Sequence, residues 1–413
     1  MSSLLISDIK CLAGTHAENQ LLRGQDLKNL PFIENAFLLV EDGQIANYGS
    51  MENINDVRHK PKATFDATGQ YVLPAWCDSH THLVFAGSRE NEFVDKIKGL
   101  SYVEIAARGG GILNSANLLN KTSEDELFIM AWKRLTEISK LGTGAVEIKS
   151  GYGLTVEGEL KMLRVIKKLK EKSQLSIKAT FLGAHTYPLE YKEHHEKYIK
   201  LVIEEMLPVI AREKLADYID VFCEDGFYSP LEMEQICRAG LSYGLKPKLH
   251  VNQLKSIGGI ETGIKLNAVS LDHLETMNDD EIKQLSRSNC IGTLLPTAAF
   301  FLRMPFQPGR KLIDAGSAIA LASDYNPGSS PGGNMNLVVA MSCIQMKMLP
   351  EEAINAATIN GAYAMELQGE LGSITIGKKA NLIFTKEIPS LAYLPYSLGM
   401  NLIDKVMIKG DFI

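Results

Sequence analysis

Residues 71–83 read YVLPAWCDSHTHL, an apolar run that ends in two histidines one residue apart. In an extended chain, side chains at i and i+2 point to the same face, so His80 and His82 project together into one space. That is metal-ligand geometry. An isolated His-x-His is equally compatible with two polar residues that close a strand and bond to backbone or water. The rest of the chain decides between these readings.

Similar runs recur after this one. GAVEIKSGYG, SIKATFLGAHT, YIDVFCEDG, KPKLHVNQ, AVSLDHLE, CIGTLLPTAA and AIALASDYNPG complete a set of eight, each apolar and each ending in polar residues. Helical patterns separate most of them, among them SEDELFIMAWKRLTEISK and SPLEMEQICRAGLSYG. These two open with capping boxes, Ser123 with Glu126 and Ser229 with Glu232. Strand alternating with helix implies parallel pairing, and eight such units predict a closed (β/α)8 barrel of the TIM type, with an open doubly wound sheet as the alternative. Near-continuous apolar character fits strands buried on both faces. Residues 83 to about 120 form a long insertion after the first strand, expected as a functional loop over the barrel mouth.

The two ends of the chain have another rhythm. Alternating short stretches around Gly turns, with Asp42-Gly43 placed as a hairpin turn, predict strands at both ends. Neither end has enough strands for its own sheet, so residues 1–70 and 366–413 are expected to build one small composite β-sandwich domain beside a barrel at 71–365.

Composition bounds the function. The 413 residues carry a formal charge of −6 without blocks of like sign, which argues against a nucleic-acid partner. No apolar run reaches the roughly 18 residues that span a bilayer, so no membrane partner is expected and a cytoplasmic protein is the reading. The sequence is compatible with a homodimer. Six dispersed cysteines without a C-x-x-C pair are expected as buried free thiols. GGGI and GTG do not make a dinucleotide cradle.

Barrel enzymes place chemistry at the carboxyl ends of their strands. Here those ends carry His80 and His82, His185, His250, His273 and Asp324, while His16, His59, His194 and His195 lie in polar segments. Imidazoles plus a carboxylate suit zinc or iron with a position left for water, and a metal lowers the pKa of such water towards about 7. That combination describes a hydrolase.

The pattern of H-x-H on the first strand, His on the fifth and sixth and Asp on the eighth resembles the amidohydrolase superfamily. The stretches DSHTHLVFAGSRENEF, ARGGGI, KSGYGL, FLGAHT, HVNQ, DHLE, PTAAFFL and ASDYNPGSSP are similar to the imidazolonepropionase family within it, from about residue 35 to the carboxyl terminus. The resemblance implies one zinc or iron ion held by His80, His82, His250 and Asp324. It implies substrate contacts from Arg89, Tyr152, His185, Gln253, Asn326, Gly328 and Ser329. The implied reaction is hydrolysis of the small molecule 4-imidazolone-5-propanoate to N-formimidoyl-L-glutamate in histidine degradation. Asp324 serves in it as base and then acid, His273 polarises the carbonyl, and His185 assists at the ring. Arg89 suits the propanoate carboxylate, although a surface ion pair with Glu90 or Glu92 is the plainer use of that residue. Tyr102 offers a further hydroxyl. Position 253 is Glu in some members and Gln here, and an amide cannot accept a proton as a base. The fourth strand ends in Glu224 with no lysine to bridge two metals, and Lys149 on the second strand reads as a pairing lysine. A related ring deaminase and a non-catalytic scaffold are the alternatives.

Overall fold

The computed structural model describes residues 3–56, 61–100 and 110–413. Eight parallel strands follow one another in chain order: Trp76–Thr81, Thr143–Lys149, Ser176–Ala184, Tyr218–Cys223, Lys246–Val251, Ser270–His273, Ile291–Leu294 and Ile319–Leu321. We number them barrel strands 1 to 8. Neighbouring strands pair in parallel throughout. The ring closes just beyond strand 8, where the His82 amide donates to the Tyr325 carbonyl at 2.9 Å and the Asp324 amide to the His80 carbonyl at 3.0 Å. Closure therefore uses the backbone of the residues expected to hold a metal.

Residues 71–82 are two strands rather than the single one expected. Tyr71–Pro74 pairs with Ser3–Ala13 and with Leu382–Thr385. The next amide, Ala75, still bonds to Asn381, whereas the Trp76 amide bonds to Gly142 at the start of barrel strand 2. Pro74 has no N–H to extend the ladder, and the chain changes sheets behind it. Strand pairing thus carries the small sheet through Pro74, four residues past the expected boundary at 70. That sheet joins both termini in one mixed, eight-stranded array. The strand Ser3–Ala13 pairs along its first half with Ala63–Asp66 and along its second half with Tyr71–Pro74, bulging between Ile6 and Ile9. Ile6, Leu38, Val72, Leu382 and Phe384 form its apolar core.

The predicted local signals are present. Asp42 and Gly43 both have positive φ, 46° and 80°, in a two-residue hairpin between Phe32–Glu41 and Gln44–Ser50. Both capping boxes form. The helical stretch that begins at His195 widens into a π turn at Val202–Met206, ahead of Pro208, whose missing N–H cannot close a normal turn. All six cysteines are free thiols, five of them buried. Among the described residues no helix is long and apolar enough to cross a membrane. The insertion after strand 1 carries the helices Glu90–Ile97 and Ile112–Lys121, and the helix Glu124–Lys140 follows it before strand 2. Tyr102 and the first half of ARGGGI lie outside the described residues.

Candidate active site

Inward-facing positions of the barrel are unusually charged. Lys149 lies 2.7 Å from Glu147, 2.9 Å from Asp220 and 3.5 Å from Asp272. Lys248 lies 3.1 Å from Glu147 and donates to Ser270 at 2.8 Å. All five ionic side chains are fully buried, three carboxylates against two ammoniums, which leaves one negative charge in excess below the site. Burial pushes the Lys149 ammonium towards neutrality, but Asp220, Glu147 and Asp272 overcome it and hold the group protonated. With three carboxylates within 3.5 Å, Lys149 is a pairing lysine as expected. Glu224 holds the loop after strand 5, accepting from the Leu254 and Lys255 amides.

Two of these carboxylates orient histidines. Asp272 accepts from His80 Nδ1 at 2.7 Å, and Asp220 accepts from His250 Nδ1 at 2.7 Å and from the His250 amide at 3.0 Å. A carboxylate is only an acceptor, so the proton sits on Nδ1 and each Nε2 turns a lone pair to the barrel mouth. His80 Nε2 is buried with no hydrogen-bond partner. Burial first, then nearby positive charge, holds His80, His82 and His250 well below the ordinary imidazole pKa, which keeps them neutral. One ligand atom from each of these three lies within 4.8 Å of the others, and the same holds for His80, His273 and Asp324. Asp324 Oδ1 is 3.5 Å from His80 Nε2 and 3.6 Å from His82 Nε2. Neutral imidazoles with one carboxylate and an unpartnered buried lone pair fit zinc or iron.

Strain gathers around this point. Asn252, His273, Leu274 and Asp324 have φ of 56°, 83°, 68° and 52° at the ends of strands 5, 6 and 8, a region that non-glycine residues rarely occupy. Burial pushes the Asp324 carboxyl up to about 6, while His273, Asn326 and Ser329 oppose the rise. His273 has Glu275 at 3.4 Å, itself held by Gln307 at 2.9 Å. Burial lowers the His273 pKa, but Glu275, Asp324 and Asp272 outweigh it, so this ring takes a proton more readily than an ordinary imidazole.

A cavity of about 590 Å³ opens above these groups. His82, His250, His273 and Asp324 form its floor, and every residue expected to contact substrate reaches its wall: Arg89, Tyr152, His185, Gln253, Asn326, Gly328 and Ser329. Local sequence explains their placement. In SGYGL the Gly151, Gly153 and Leu154 amides all donate to the buried Glu159 carboxylate, which fixes the loop that carries Tyr152. A side chain at Gly153 would come within 2.3 Å of the Glu159 backbone. His185 donates from Nδ1 to the Gly151 carbonyl at 3.0 Å and stacks on His82. Asn326 organises its own loop: its carbonyl accepts from the Gly328 and Ser329 amides at 2.8 Å, and its amide donates to the Asp324 carbonyl and to Ser329. Both ends of that amide are thus engaged within the loop.

Arg89 is not a surface residue. Its Nε and Nη2 donate to Glu92 at 2.8 and 2.6 Å, and the side chain is only 12% exposed. Nη1 lies against Gly328, where any added Cβ would come within 2.4 Å of it. The expected ion pair and the expected cavity contact therefore coexist on two edges of one guanidinium.

The sequence reading passed over Asp220, Asp272, Glu147 and Lys248, and also Lys96 and Glu275. A signal was available for the first four: a charge inside an apolar strand buried on both faces has only the barrel interior to point to.

The amidohydrolase family model matches residues 71–413. An imidazolonepropionase from Flavobacterium johnsoniae is 60% identical over 390 residues, covering 94% of each chain. Another from Christiangramia forsetii is 55% identical over 412 residues, covering 100% of each. Among solved structures, an adenosine deaminase from Xanthomonas campestris aligns with a TM-score of 0.74 at 15% identity over 100% of this chain and 92% of that one. A guanine deaminase from E. coli aligns at 0.72 and 14%, over 100% and 99%. At such identities those two share the fold alone. By family model and by identity over nearly its whole length, the chain belongs to the amidohydrolase family and, within it, to the imidazolonepropionases.

Proposed function

We propose that the protein hydrolyses the ring amide C–N bond of 4-imidazolone-5-propanoate to give N-formimidoyl-L-glutamate, with one zinc or iron ion held by His80, His82, His250 and Asp324. The observation that carries this reading is the pairing of a neutral, carboxylate-oriented histidine cluster with a largely enclosed arginine whose free edge lines the same cavity. When bound, the ion supplies Lewis acidity, which makes water a nucleophile near neutral pH.

The chain's own residues do the rest. Asp324, adjacent to the histidines, accepts the proton of the attacking water and returns it to the departing ring nitrogen. His273, supported by Glu275, donates to the carbonyl oxygen as negative charge develops there. His185 and Tyr152 flank the ring. Gln253 hydrogen-bonds the substrate and carries no proton, because an amide has no basic site. Arg89 binds both oxygens of the propanoate tail with the edge that Glu92 leaves free.

The test is turnover of imidazolone propanoate with product analysis. Ring opening without ammonia is the expected result. Ammonia release would instead indicate a deaminase.

A further inference from the structure

Arg89 is followed at three and seven residues by Glu92 and Lys96, the spacing that places all three on one face of the helix Glu90–Ile97. Glu92 is 8% exposed, and its two oxygens are spoken for: one by Arg89, the other by the Gly111 amide at 2.9 Å. Lys96 lines the same cavity as Arg89. Among the described residues its ammonium forms no ion pair, and its hydrogen bond is to the Gly328 carbonyl at 3.5 Å.

Charge arithmetic makes this lysine informative. Arg89 and Glu92 cancel, so a carboxylate arriving at the free edge of Arg89 meets a neutral pair with an anion close behind it. Among the described residues Lys96 restores one net positive charge to that wall, matching one carboxylate. Burial and the neighbouring Arg89 depress the Lys96 pKa, against an opposing pull from Glu92.

We infer that Lys96 is a second cationic contact for the carboxylate tail of the substrate, presented beside the Arg89 edge that Glu92 orients. This rests on the proposed substrate reading. The experiment is steady-state kinetics of Lys96→Met and Lys96→Arg, with Lys98→Met as control, since Lys98 is exposed at the end of the same helix and removes the same charge. Circular dichroism verifies that each variant is folded. Lys96→Met is expected to raise KM for imidazolone propanoate about tenfold with kcat held within about twofold, Lys96→Arg to recover most of the loss, and Lys98→Met to change KM by less than about twofold. A ring analogue without the carboxylate is expected to show no dependence on residue 96. If Lys96→Met shifts KM no more than Lys98→Met, or shifts it equally for the analogue, the contact does not exist. Failure of the underlying reading is separable: Arg89→Met would then leave kcat/KM unchanged, whereas an impaired Arg89→Met beside a normal Lys96→Met removes Lys96 alone.

Discussion

On the barrel floor Lys149 meets three carboxylates within 3.5 Å, whereas on the outer wall, among the described residues, Arg89 pairs with Glu92 and Lys96 meets a carbonyl. The floor charges are fully buried and bonded to one another from strand to strand. Those on the wall come from a helix in the insertion and keep free edges towards the cavity. A group whose hydrogen bonds are all made inside the protein can only hold its neighbours still; one with donors left over can bind something that arrives. On the proposed reading the floor orients the histidines that would hold the ion, and the wall selects the molecule presented to them.

Breaking the floor is expected to have the largest effect. Lys149→Met leaves Asp220, Asp272 and Glu147 buried with Lys248 as their remaining cation, and is expected to cost about 3 to 5 kcal/mol of stability in denaturant unfolding. A loss below about 1 kcal/mol would mean that water or a proton already compensates those carboxylates. On the wall, Arg89→Met is expected to lower kcat/KM by about 2 to 5 kcal/mol, much of it through KM, with unfolding little changed. Arg89→Lys falls between, because it keeps the charge and loses the two-pronged geometry. The contrast between these two variants, stability on the floor and KM on the wall, is what the comparison requires.

Asp220→Asn sharpens the floor alone. The amide keeps the shape and gives His250 a weaker acceptor, so metal affinity is expected to drop about 10- to 100-fold in a competition titration. Gln253→Glu should matter least. If residue 253 serves as a hydrogen-bond partner for substrate, turnover changes by less than about tenfold, and a larger rise would show that a base there is useful and that this chain works without one.

Much of this was legible in the sequence, for physical reasons that differ by region. The barrel was readable because strands buried on both faces must be apolar along their length, and the histidines because polar residues at the ends of such runs have one mouth to share. The change of sheet at Pro74 was not, since YVLPAW is apolar on both sides of the switch and periodicity cannot register a change of partner. Asp220 and Asp272 were passed over for an opposite reason: each stands within an apolar run, where a lone acid looks like an interruption until closure of the barrel brings Lys149 and a histidine to it from other strands. Arg89 was read as either an ion pair or a substrate contact, and its guanidinium has edges enough for both.

The central claim, one ion on the floor serving a ring hydrolase, is tested most directly by titrating metal-stripped protein with zinc or ferrous iron while bound ion, ring opening and ammonia are measured together, with His250→Ala alongside. The account predicts that activity rises in proportion to bound metal, stops at one ion per chain, yields N-formimidoyl-L-glutamate without ammonia, and falls by more than about a thousandfold in the variant. Turnover by metal-free protein, or a rise that continues to two ions per chain, would contradict it.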